Sequence, residues 1–133
     1  LSGPLLDRMD LTIEVMPIPA AELARAPAGD TSAVVAARVQ AARDAQRRRW
    51  PEDGPRNNAE AEIGQLMLLL DPEAATLVET AATRLRLSSR AHVRTLRVAC
   101  SVADLAGSAT IRRAHVAEAL AFRHRMPGRA AVA

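Results

Sequence analysis

Ser88-Ser89-Arg90-Ala91-His92-Val93-Arg94-Thr95-Leu96-Arg97-Val98-Ala99 is the stretch that decides the fold. Ser88 or Ser89 can cap a helix, its hydroxyl accepting from an orphan backbone N–H of the first turn. Apolar residues then recur at Leu96, Ala99, Val102, Ala103 and Ala106, the stripe of a helix that buries one face. Arg90, Arg94 and Arg97 fall at i, i+4 and i+7 and share a different face. Arg90 stands in the first turn, where the helix dipole is already positive, so a cation there costs roughly 0.3–1 kcal/mol. That placement makes sense if an anion such as a phosphate arrives. From spacing alone, a solvated arginine face is the simpler reading.

Working outward, the same helical logic repeats. Asp71 caps a helix with Pro72 at its first position and an inward stripe of Leu77, Val78, Ala81 and Leu85. The arginine helix runs from Ser89 to about Leu105 and is closed by Gly107. Thr110 is expected to cap a last helix with Val116, Leu120 and Phe122 inward. Further upstream, Thr31 or Asp30 caps a long helix to about Trp50, with Val35, Val39, Ala42 and Ala45 inward. Its end carries Arg47, Arg48 and Arg49, which suit a helix C-terminus as solvated cations or as a nucleic-acid contact. Pro51-Glu52-Asp53-Gly54-Pro55 is a loop, and Asn57 or Asn58 is expected to start a helix to about Leu69. A short helix is expected over Ala20 to Ala24, and a loop over Ala26-Pro27-Ala28-Gly29.

Residues 1–16 read differently. Ser2-Gly3-Pro4 is a turn, and Leu11-Thr12-Ile13-Glu14-Val15 alternates like a strand. It is the only strand candidate, so it pairs with a sheet supplied elsewhere or it dangles. The chain opens on Leu1 in mid-pattern and reads as a piece of a longer polypeptide.

Length and composition fit one soluble globular domain, or one domain with an appendage: 133 residues, 49% hydrophobic and 25% charged. Aromatics are one Trp and one Phe, so alanine and leucine fill the apolar positions of close-packed helices. All 18 basic residues are arginine. With no Tyr and no Lys, little titrates below the arginine range, and a net charge of +3 already gives a pI near 10.8. That pI is therefore no demand for DNA. The missing lysine excludes a P-loop, whose GxxxxGK[ST] lysine reaches the β- and γ-phosphates. No run approaches the roughly 20 apolar residues of a membrane span, and no signal peptide is visible, so a cytoplasmic location is expected. The lone Cys100 excludes an intrachain disulfide and reads as a small buried hydrophobe. His92, His115 and His124 lack metal-ligand spacing, so no metal site is expected. Asp7 and Asp10 flank Arg8 as caps or ion-pair partners, and no complete catalytic constellation is visible.

Leu1-Ser2-Gly3-Pro4-Leu5-Leu6-Asp7-Arg8-Met9-Asp10-Leu11 resembles a segment of the bacterial magnesium-chelatase-like AAA+ ATPases, specifically the competence protein ComM group. Leu87-Ser88-Ser89-Arg90-Ala91, then Leu96 to Ala99 and Val102 to Gly107, are similar to a second motif of that family, and His115 to Leu120 with Phe122-Arg123 to a third. Asn58-Ala59 and the Val39-to-Gln46 helix match more loosely, and residues 60–70 depart from the pattern.

The resemblance implies an all-α helical AAA+ lid domain of about five helices over residues 20–126. It would be preceded by a remnant of the α/β ATPase core at 1–19 and followed by a frayed tail at 127–133. It implies that Arg8 is the arginine finger reaching the γ-phosphate held by a neighbouring subunit. It makes Arg90 the sensor-2 arginine on the nucleotide phosphates, and leaves Arg94 and Arg97 as further candidates without an assigned role. The parent would be a homo-oligomeric ring motor using ATP and Mg2+ and acting on DNA, by branch migration during recombination of incoming DNA. The fragment alone would carry no cofactor. Two other readings stay open: the lid of a true magnesium-chelatase motor subunit, and a free-standing helical DNA-binding module carried by Arg47–Arg49.

Overall fold

The computed structural model describes residues 8–25 and 29–124. Six helices are found among them: α1 (Ala20–Leu23), α2 (Ser32–Arg49), α3 (Ile63–Met67), α4 (Pro72–Arg84), α5 (Ser89–Leu105) and α6 (Arg113–His124). The turn expected at Ser2-Gly3-Pro4, the loop at Ala26-Pro27-Ala28 and the tail from Pro127 lie outside the described residues.

The caps explain why the helices start where they do. Thr31 accepts from the Val34 N–H, Asp71 from Ala74 and Ser88 from Ala91, each filling an orphan donor of the first turn. α5 ends as expected at Gly107, whose φ of 68° is left-handed, with the Ser108 N–H returning to the Ala103 carbonyl. α4 ends in the same way on Arg86, φ 47°, with the Leu87 N–H on the Ala82 carbonyl.

α5 is the central element. α6 packs along it, α2 and α3 lie against its other sides, and α4 supports α6. Leu66, Leu96, Ile111 and Val116 are fully buried at the centre, each such side chain contributing about 1.5–3 kcal/mol by burial. The buried face of α5 is broader than the predicted stripe: Ala91, Thr95, Cys100 and Asp104 join Leu96, Ala99 and Ala103, while Ala106 is exposed. Thr95 is tolerated there because its hydroxyl donates to the Ala91 carbonyl.

Four expectations are corrected. Asn57 and Asn58 do not begin a helix; residues 57–60 form turns, and α3 starts only at Ile63 behind a Glu62–Gln65 capping box. The Asn58 side chain is buried in other bonds, so it cannot cap. Thr110 does not cap α6, because the chain first runs extended to let Ile111 exchange backbone bonds with Leu69 and Asp71. The imidazole of His115 accepts from the Arg112 N–H at the helix start instead. Val35 and Val39 do not point inward: only Ala42 and Gln46 of α2 are buried, and the N-terminal half of this 18-residue helix projects past α5. Residues 11–15 form no strand. Among the described residues the Thr12 N–H alone of these finds a backbone partner, the Phe122 carbonyl, and Ile13 and Val15 are exposed.

Candidate anion site at the start of α5

The capped first turn of α5 and the chain around Arg8 enclose a depression of about 720 Å³ lined by Arg8, Ser89, Arg90, Val93, Arg94 and Arg97. All four arginines singled out in the sequence therefore meet at one place. The helical spacing puts Arg90, Arg94 and Arg97 on one side. Arg8 is brought opposite because the segment after it crosses α5 and α6, held where Asp10 pairs with Arg94 and Thr12 bonds to Phe122.

The four cations differ in their surroundings. Arg8 and Arg90 are exposed and enter no ion pair among the described residues. Arg94 is largely covered, its Nε against Asp10. Arg97 donates from Nε and Nη2 to the carbonyl oxygen of Ala61, at 3.1 and 2.9 Å. Among the described residues one carboxylate, Asp10, pairs within this group of four cations, an arrangement suited to an anion with several oxygens. No group of His, Cys, Asp and Glu able to hold a metal occurs among the described residues. No helix there is long and apolar enough to cross a membrane.

Further down the same face of α5 lies a cluster that sequence reading missed. Arg49 pairs through both terminal nitrogens with Asp104, whose side chain is fully buried, and also reaches Cys100 Sγ and Asn58 Oδ1 at 3.3 Å each. Asn58 accepts from Trp50 Nε1 and donates to Ser101 and Asp104. The hydrogen bonds to Asp104 raise the pKa of Arg49 above its ordinary value. Burial pushes the Cys100 thiol up to about 11, against the opposing pull of Arg49. Arg49 is therefore neither a solvated dipole partner nor a nucleic-acid contact. The signal was available: Asp104 continues the Arg90, Arg94, Arg97, Ser101 series, and an acid on a half-buried helix face requires a cation.

Residues 29–123 match the family described as magnesium chelatase, subunit ChlI C-terminal. The chain belongs to this magnesium-chelatase-like AAA+ family. It is 41% identical over 124 residues to the competence protein ComM of Haemophilus influenzae, covering 92% of the chain and 24% of that protein. It is 42% identical over 125 residues to the uncharacterized protein Rv2897c of Mycobacterium tuberculosis, covering 92% of the chain and 25% of that protein. To the uncharacterized protein YifB of Escherichia coli it is 39% identical over 129 residues, again 92% of the chain and 24% of that protein. The chain thus spans about a quarter of the length of the relatives it matches.

Proposed function

We propose that this chain is the lid of an ATP-driven ring motor and that the arginine depression receives the phosphates of a nucleotide held by a neighbouring subunit. The observation that carries this reading is the meeting of Arg8 with Arg90 in one depression. A finger arginine acts on the nucleotide of the adjacent subunit. Because Arg90 lines the same depression, both act on that one nucleotide. Arg8 places a guanidinium against charge that develops on the transferring phosphoryl group, and Arg90 reads phosphate occupancy from the first turn of α5. ATP with Mg2+ supplies the bond that is broken. The lysine-bearing phosphate loop belongs to the rest of the ring, since this chain carries no lysine.

The work done by the motor is proposed to be movement of DNA, as branch migration in recombination. The 41% identity to a protein named for competence supports this over metal insertion into a porphyrin. The free-standing DNA-binding reading is weakened, because Arg49, one of the three arginines of its cluster, is committed to the buried Asp104.

The test is Arg8→Ala in the complete motor. ATP hydrolysis is expected to fall by about 10³-fold or more while ATP affinity changes little. Hydrolysis at the unaltered rate would remove the finger assignment.

A further inference from the structure

We infer that Arg97 is a phosphate ligand oriented in advance by the Ala61 carbonyl, so that an anion in the depression stabilises the 57–62 turn. The inference rests on the phosphate reading of the depression. Arg97 is set apart from the other three arginines by its bonds. Its Nε and Nη2 both donate to one oxygen, that of Ala61, a residue with no exposed surface. That arrangement uses one edge of the guanidinium fork and fixes its plane. Nη1 and the remaining Nη2 hydrogen belong to the other edge, and the side chain lines the depression. A planar five-donor group can serve two acceptors at once, which an ammonium on a flexible stem cannot do with the same geometry.

Competition between the two acceptors is the alternative arrangement, and it is disfavoured. Drawing Arg97 off Ala61 leaves a buried carbonyl without its donor, a costly state. Sharing keeps both acceptors satisfied. By linkage, whatever Arg97 gains from the anion then stabilises the geometry that holds Arg97. That geometry is the 57–62 turn, and it is tied into the body through adjoining bonds. Ser101 donates to the Arg97 carbonyl and accepts from Asn58, and Asn58 bonds to Asp104 beside Arg49. The depression is therefore joined by continuous hydrogen bonds to the end of α2, some of them through the turn itself.

The test uses this chain with inorganic tripolyphosphate at low ionic strength, followed by NMR titration and amide exchange. In the unaltered chain, saturating tripolyphosphate is expected to slow exchange several-fold at Ala61 and Leu66, whose N–H groups bond to Asn58 and Glu62. Arg97→Lys keeps the charge and removes the fork; it is expected to bind about tenfold more weakly and to show no slowing. Arg90→Ala is expected to weaken binding yet keep the slowing at saturation. If Arg90→Ala weakens binding while Arg97→Lys binds normally, or if Ala61 and Leu66 exchange unchanged under saturation, the Arg97 inference is overturned and the phosphate reading stands. If the unaltered chain binds no tripolyphosphate, the phosphate reading falls and the inference with it. Should Arg97→Lys fail to fold, the exchange rates of the unaltered chain alone decide.

Discussion

Arg49 and Asp104, 55 residues apart in sequence, form a two-pronged ion pair that fastens the end of α2 to the last turns of α5. The carboxylate is fully buried and the guanidinium nearly so. Such a pair adds little over well-packed apolar groups, but half of it left alone is severely unfavourable. Asp104→Ala is therefore expected to destabilise the chain by about 3–5 kcal/mol, and Arg49→Met with Asp104→Leu to recover most of that loss. Urea midpoints of the two variants check this.

Cys100 sets an alkaline limit on stability. Its folded pKa is raised to about 11, from an ordinary value of 9.0. Below pH 9 the thiol is protonated in both states and its contribution is fully present. Between pH 9 and 11 the unfolded chain ionises first, so stability falls as pH rises. The window is clean because the chain has no lysine and no tyrosine. Cys100→Ala is expected to flatten the decline, measured as urea midpoint against pH.

Arg86 occupies the left-handed position that ends α4, at φ 47°, where glycine is the unstrained choice. Arg86→Gly is expected to raise stability by up to about 1 kcal/mol, the side-chain strain removed exceeding the added freedom of the unfolded chain. Gly107→Ala, at φ 68°, is expected to lower it by about 1 kcal/mol. Thermal midpoints that move in opposite directions would confirm the pair.

Local chemistry was legible in the sequence where it acts within one or two turns. Ser88, Asp71 and Thr31 cap as their side chains dictate, and the i, i+4, i+7 arginines share a face because helix geometry leaves no choice. Partners distant in sequence were not legible. Val35 and Val39 match a core stripe, yet both stay exposed among the described residues, because α2 packs on α5 through Ala42 and Gln46. Asn58 looked like a helix cap and instead serves Arg49, Trp50, Ser101 and Asp104, contacts that exist only once α2 meets α5. Arg97 looked solvated for the same reason, since Ala61 comes to it from 36 residues away.

Arg90 offers a test of site against scaffold. It is exposed in the first turn of α5, so Arg90→Ala removes no core volume and relieves an unfavourable dipole interaction of roughly 0.3–1 kcal/mol. The isolated variant is expected to melt at or slightly above the unaltered temperature, while the complete motor carrying it loses ATP turnover. A large drop in melting temperature with normal turnover would make Arg90 a structural residue.

The most direct measurement mixes two inactive forms of the complete motor: Arg8→Ala, and a variant whose phosphate-binding loop is disabled. If the depression serves a neighbour's nucleotide, mixed rings contain interfaces with one intact loop and one intact Arg8, and part of the ATPase activity returns. Activity that stays at the level of the separate variants, in rings verified to contain both, would contradict an arginine acting across the subunit boundary.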